Sequence, residues 1–323
     1  MKKVAYLFLL TCCSAFVSCS EGIETNDSSP EVKSVTRIVA SIDSPIDDQP
    51  STRMNFIESN GTFTWAISDT IGIFPNTGDQ VSFPIEEGME NLTTVDFNGG
   101  GWDLKADATY YAYFPFNRNN FWGYDAKYAL KISFLGQKQN GKDNADFAAT
   151  YPFASFGVNN NGNVHFRFKQ IASLAQFSIT APNPATFVKA ILTTEDGGNY
   201  FVQEGTFNLM ETTLDEPPTI SGKSYGPTIE MALENISTTS ENETFILYIT
   251  VPPTVALSSE VKLMMIDKSG NLYTANSSQT IAKFNAGRRY KRDFALINDG
   301  MFLLNVEDDD FSSSEDSNIN MKQ

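Results

Sequence analysis

The residue with the clearest chemistry is Cys19, which closes the run Phe16-Val17-Ser18-Cys19. A large apolar residue three positions before a cysteine and a small one directly before it form a lipobox-like pattern. The small side chain lets a signal peptidase reach the Ser18-Cys19 bond, and the thiol accepts a diacylglycerol. Lys2 and Lys3 supply a positive start. The apolar run 4–17 suits a signal core, for which about 7–15 residues suffice, better than a bilayer span, which needs roughly 20. Leucine is commoner than phenylalanine at the position of Phe16, and an ordinary secretory signal cut elsewhere is the alternative. Cys12 and Cys13 fall inside the segment to be removed, so a chain beginning at Cys19 holds no second thiol. No disulfide is expected, and such a chain relies on its own core.

Catalytic and metal chemistry is sparse elsewhere. The only histidine, His165, stands between Val164 and Phe166 in an alternating run, where a structural role outweighs a catalytic one. A Ser-His-Asp triad would need it, and no strand-to-helix elbow holds a serine. One histidine and an acylated cysteine leave no zinc ligand set. Asp308-Asp309-Asp310 and Asp267-Lys268-Ser269-Gly270-Asn271 offer oxygen ligands for calcium, but neither has the spacing of an EF-hand loop. The first reads as a solvated acidic tail and the second as a hairpin turn. Gly99-Gly100-Gly101 lacks the lysine and helix of a phosphate loop. Paired carboxylates for glycoside hydrolysis are not legible from spacing in sequence. No enzymatic activity and no cofactor are expected. Among aromatic residues, Phe121, Trp122 and Tyr124 flank Gly123 in a loop-like stretch and are the candidate glycan contacts, with core or rim packing as the other reading.

Lys and Arg total 23 against 39 Asp and Glu, a formal net charge of −16. Such a chain repels phosphate backbones, which excludes nucleic acid as a partner.

The elements that must carry these residues are strands. Residues 20–33 hold almost no large apolar side chains and read as a flexible tether. Beyond them, short runs alternate apolar and polar residues with Val, Ile, Thr, Phe and Tyr enriched, which is the strand signal. They cover 35–42, 62–66, 70–74, 80–85, 92–97, 109–114, 128–134, 164–168 and 174–180. They continue over 187–192, 200–203, 228–233, 244–251, 261–266, 271–274, 280–284, 290–296 and 301–306. Two hairpins are expected, one turning at Asp267-Lys268-Ser269-Gly270 and one at Glu195-Asp196-Gly197-Gly198. Helices should be few. Strands at this spacing build sandwiches, and the length suits two in series, with a boundary near 170–185 where Ala181-Pro182-Asn183-Pro184 interrupts the pattern. The organisation is a signal 1–18, a tether 19–33, domains 34–175 and 176–311, and a polar tail 312–323.

Several groups together carry a resemblance. Ser51-Thr52-Arg53 precedes Phe63-Thr64-Trp65, then Asp69-Thr70-Ile71-Gly72-Ile73-Phe74, Trp102 and Tyr110-Tyr111-Ala112-Tyr113-Phe114-Pro115. Val164-His165-Phe166-Arg167-Phe168, Ile171-Ala172-Ser173-Leu174-Ala175-Gln176-Phe177 and Phe284-Asn285-Ala286-Gly287-Arg288-Arg289-Tyr290 follow. In this order and behind a lipobox they resemble the fimbrillin-like family, subunits of type V pili in Bacteroidota. The acidic residue soon after Cys19 is similar to a surface-export signal of lipoproteins from that phylum, and Asp69-Thr70-Ile71 to its O-glycosylation pattern, though a buried strand is the reading preferred there. The resemblance implies two transthyretin-like β-sandwich domains, a lipid anchor in the outer membrane, and a surface or fimbrial location. It also implies cleavage after an arginine, here Arg53, that removes the first strand segment 34–42 and lets a strand from another subunit fill the groove. Partners would be the membrane, other pilus subunits, and host or bacterial surface glycans or proteins. Segment 301–306 resembles a closing strand more than a donor, which favours a tip, anchor or accessory subunit. A surface glycan-binding lipoprotein that never polymerises is the alternative.

Overall fold

The computed structural model describes residues 37–42, 55–59, 62–75, 80–97, 108–120, 129–142, 145–160, 162–213, 215–276, 281–297 and 300–310. Cys19, Arg53, Phe121, Trp122 and Tyr124 lie outside the described residues, as do the signal, the tether and the tail. The first strands are β1 (Arg37–Ile42), β2 (Asn55–Ile57), β3 (Thr62–Thr64), β4 (Thr70–Pro75), β5 (Val81–Pro84), β6 (Thr94–Phe97) and β7 (Thr109–Phe114). Next come β8 (Leu130–Ser133), β9 (Gln137–Asn140), helix α1 (Ala145–Thr150), β10 (Phe153–Asn160), β11 (Asn163–Gln170), β12 (Ser173–Ala181) and β13 (Thr186–Thr194). The rest are β14 (Phe201–Phe207), β15 (Ile220–Gly226), β16 (Thr228–Ser237), β17 (Glu243–Val251), β18 (Val261–Asp267), β19 (Leu272–Asn276), β20 (Arg288–Ile297) and β21 (Gly300–Asp310).

The architecture is all-β, built on two large sheets as expected for β-sandwich domains. One has the order β5-β4-β7-β10-β11-β1-β6, and a bridge between Ile85 and Phe97 joins its two ends. The other has the order β17-β12-β20-β21-β19-β18-β13-β16-β9. A three-stranded sheet β15-β14-β8 and the hairpin β2-β3 complete the fold. Period-two alternation decides which faces turn inward: in β11, Val164, Phe166 and Phe168 are buried while His165 and Arg167 face out. Trp65 sits at the centre of the first sheet's core with its ring edge-on to Phe97, Phe114 and Phe168 at 5.2, 5.8 and 5.3 Å. Trp65, Phe114 and Phe168 come from the groups that carried the family resemblance, and packing is what they do.

A polar pair closes the second sheet. Gln137 and Gln139 of β9 project toward β17, the opposite edge strand. Gln137 Nε2 donates to the Thr250 carbonyl (2.8 Å) and its Oε1 accepts from the Thr250 amide (2.9 Å). Gln139 Nε2 donates to the Ile246 carbonyl (2.7 Å) and its Oε1 accepts from the Tyr248 amide (3.1 Å). Two side-chain amides thus satisfy backbone groups that a neighbouring strand would otherwise pair.

Several expectations need correcting. The hairpin at Asp267-Lys268-Ser269-Gly270 forms, between β18 and β19, with Gly270 at φ +87° and the Asp267 carboxylate accepting from the Ser269 and Asn271 amides. The hairpin at Glu195-Asp196-Gly197-Gly198 does not. A turn is present, but β13 pairs with β16 and β18 while β14 pairs with β15 and β8, so the chain crosses there from one sheet to another. Residues 281–284 are an irregular segment that buries Ile281 and Phe284. β21 reaches Asp310, so the acidic run belongs to a paired strand and not to a tail, although Glu307 and Asp308 are exposed. β12 runs unbroken from Ser173 to Ala181, and β9 from the first half of the chain joins the second sheet.

Candidate functional site: the first strand and its slot

β1 lies between two neighbours, parallel to β11 and antiparallel to β6. Its alternation places Ile38, Ala40 and Ile42 inward, all buried, as the sequence predicts for that face. Ile38 stands between Val164 and Phe97, and Ala40 between Phe166 and Val95, while Ile42 pairs with Phe168. The row therefore reads large, small, large, with Ala40 in register with Phe166. Backbone pairing on both edges makes β1 an interior strand that arrives from outside the remaining sequence order: every other strand of its sheet follows it by tens of residues.

The outer face is polar. Arg37 donates from Nε and Nη2 to the two carboxylate oxygens of Asp96 on β6, at 3.0 and 2.9 Å. This fork-on-carboxylate geometry fixes register as well as charge, although the guanidinium is exposed and its energetic weight is modest. Ser41 donates to the Phe166 carbonyl at 3.4 Å. His165 lies opposite Val39 on β11. Desolvation by its surroundings, then the positive charges of Arg37 and Arg167, lower its pKa below the ordinary imidazole value.

That shift is measurable because His165 is the only histidine. A proton NMR titration should give a midpoint below about 6.5, rising when Arg37 is replaced by Gln. The folded pKa is the lower one, so His165 favours the folded state least in acid. Its contribution falls away as pH drops through about 6.5 and levels off below the folded value. An unmoved midpoint in Arg37→Gln would separate Arg37 from His165.

The segment just past Arg53 is held by the second half of the chain. Phe56 of β2 is buried against Phe63, Phe147 and Tyr248, with ring centroids 5.0, 5.5 and 6.0 Å away. The Glu58 carboxylate accepts from Gln176 Nε2 (3.1 Å) and the Tyr248 hydroxyl (2.9 Å), and its backbone carbonyl accepts from Arg289 Nη1 (3.0 Å). Arg289 also lies 5.8 Å from the centroid of the Phe56 ring. Sequence reasoning missed this clamp, since nothing in Glu58 or Gln176 alone signals a partner over a hundred residues away.

At the other end of the chain β21 pairs antiparallel with β20, setting Glu307, Asp308, Asp309 and Asp310 opposite Lys291, Tyr290, Arg289 and Arg288. Lys291 Nζ contacts Glu307 at 2.8 Å, and the buried Arg292 pairs with Asp308. The basic and acidic runs were both visible in sequence, but only the register brings them together. Asp69 is buried, its carboxylate accepting from the Ala66 amide at 2.8 Å at the turn into β4, where Thr70 is half-buried and Ile71 fully buried. A cleft of about 480 Å³ opens beside Phe116, Asn117, Lys131, Leu135 and Lys138. Among the described residues, no three of His, Cys, Asp and Glu gather closely enough to hold a metal.

The fimbrillin-like family model matches residues 52–308. The chain belongs to the fimbrillin-like family. β1 precedes the matched span, which begins one residue before Arg53. Two solved structures share the fold. A candidate cell adhesion protein from Bacteroides ovatus ATCC 8483 is 15% identical with a TM-score of 0.54, covering 88% of this chain and 99% of that one. Another from Bacteroides uniformis ATCC 8492 is 13% identical with a TM-score of 0.54, covering 85% and 98%. The tip fimbrial protein Mfa3 from Porphyromonas gingivalis, with C-terminal truncation, is 10% identical over 85% of this chain and 99% of that one, and its TM-score of 0.39 is too low to inform this fold. No curated protein matches the sequence.

Proposed function

We propose that this protein is a surface-anchored lipoprotein subunit of a pilus, serving as a structural or accessory (tip or anchor) component and not as an enzyme. In this reading Cys19 carries the lipid at the outer membrane, Arg53 is the processing site, and loss of the segment containing β1 opens a slot for a strand from another subunit. The division into domains 34–175 and 176–311 belongs to the same reading, with β9 lent to the second sheet.

The observation that carries it is the placement of β1. A short strand joined to the rest by residues 43–54 fills a two-sided slot flanked by the buried Val164, Phe166 and Phe168 of β11 and Val95 and Phe97 of β6. Its removal would uncover apolar side chains and two rows of backbone groups together, the arrangement that strand addition satisfies. The clamp of Phe56 and Glu58 supports the choice of Arg53, because a chain newly starting at Met54 would still be fastened two residues on.

The deciding measurement is the N-terminal residue of surface-purified protein. Molecules starting at Met54 are expected beside, or instead of, molecules starting at the acylated Cys19. Trypsin-like digestion of the folded precursor should cut after Arg53 before most other basic sites. Resistance at Arg53 would remove the strand-exchange mechanism and leave the family fold. Cys19→Ala should shift the protein from the membrane to the soluble fraction, since two or three acyl chains at about 0.8 kcal/mol per buried CH₂ account for firm anchoring. Continued membrane retention of that variant would rule out Cys19 as the anchor.

A further inference from the structure

If the β1 slot is refilled by strand exchange, as proposed above, the slot itself restricts what can enter. We infer that it selects a strand reading basic, large, any, small, any, large, that Asp96 is the specificity-determining residue, and that the occupant comes from a different protein and not from a second copy of this chain.

The three inward positions of β1 set the size code. Ala40 is fully buried between Phe166 and Val95, with Ile38 and Ile42 on either side. A leucine there would add three carbons to a site with no exposed surface, and cores resist such overfilling. The outer face sets the charge code. Arg37 meets Asp96 through both carboxylate oxygens, and Glu86 adds a second negative charge nearby. An occupant with a basic residue at that position gains the pair and is held in register. An acidic one meets two like charges.

The chain's own C-terminal strand fails on both counts. β21 reads GMFLLNVEDDD, without an alanine and without a basic residue. Laying Phe302, Leu304 and Val306 in the three inward positions puts Leu304 in the alanine site and Met301 at the place of Arg37, whose side chain reaches Asp96. Shifting by one puts Leu303 there instead, with Gly300 at the charged position. Reversing the strand brings Glu307 to Asp96. β21 is moreover engaged at home, where Glu307 and Asp308 pair with Lys291 and Arg292. Among the described strands only β1 itself reads the code, and processing at Arg53 would remove it, so processed copies of this chain lack a strand that matches their own slot.

The test uses the full chain, nicked by an arginine-specific protease that is then fully inhibited before fluorescent synthetic strands are added, with retention read by anisotropy and native mass spectrometry. A peptide of residues 35–43 should be taken up. Its Arg37→Asp form should bind roughly tenfold more weakly and its Ala40→Leu form roughly ten- to hundredfold more weakly, and a β21 peptide should not compete. In the Asp96→Arg chain the preference between the Arg37 and Arg37→Asp peptides should reverse. The peptide series leaves the protein unaltered, so it stands even where Asp96→Arg does not fold. Uptake of the β21 peptide as tight as that of residues 35–43, or indifference to the charge at position 37, would overturn the selectivity while leaving strand exchange intact. Failure of every peptide, the β1 sequence included, would overturn strand exchange and the selectivity with it.

Discussion

Replacing Gln137 and Gln139 together with leucine should lower the urea midpoint sharply and turn a monodisperse protein into one that self-associates. Each glutamine makes two hydrogen bonds to the backbone of β17, and leucine makes none. Four backbone groups lose their partners: the Thr250 amide and carbonyl, the Tyr248 amide and the Ile246 carbonyl. A buried group left unpaired costs about 1–3 kcal/mol, so even two that find no water put the loss beyond roughly 3 kcal/mol. The liberated edge of β17 is also the kind of surface on which strands from other molecules add. Lys138→Leu, on the same strand but facing solvent, should change stability by less than about 0.5 kcal/mol. Chemical denaturation with light scattering on the same samples checks both effects. An unchanged midpoint in the double variant would show that the amides do not hold the edge.

Trp65→Ala should be the most damaging single substitution in the first sheet. The indole is fully buried, and three aromatic rings close on it. Large-to-small changes of this kind cost about 3–5 kcal/mol, because the surrounding rings cannot collapse into the space. At roughly 2–4 °C per kcal/mol for a chain of this size, the melting temperature should fall by about 10 °C. Trp65→Phe should cost much less than its lost volume suggests. The indole Nε1 is buried without a hydrogen-bond partner among the described residues, and phenylalanine removes that unsatisfied donor. Equal losses in the two variants, measured by scanning calorimetry, would contradict this account.

What could be read from sequence followed the strength of alternation. β7 was legible to the residue, and β11, β12 and β18 to within two residues at each end, because apolar side chains recur there every second position. The inward face of β1 was legible for the same reason. β9 was not, since QKQN buries no apolar side chain and its inward residues work through amide hydrogen bonds. β10 and β15 carry glycine and serine where the alternation signal is needed, at Gly157 and at Ser221, Gly222 and Ser224. Turn chemistry alone predicted two hairpins, and one failed because a turn fixes the local reversal of the chain but not which sheet the next strand joins. The slot around β1 was legible only through the family resemblance. Its two walls are β6 and β11, some fifty and one hundred and twenty residues further along.

The double-sided pairing of β1 also has a mechanical meaning. A strand at the edge of a sheet, tugged sideways, peels away one bond at a time. β1 is laced to β11 on one side and β6 on the other, so tension drawn along its axis loads both ladders in shear, and the bonds must yield nearly together. Any strand seated in the same slot inherits that geometry. A joint between subunits made there would bear pulling far better than its six residues of contact suggest.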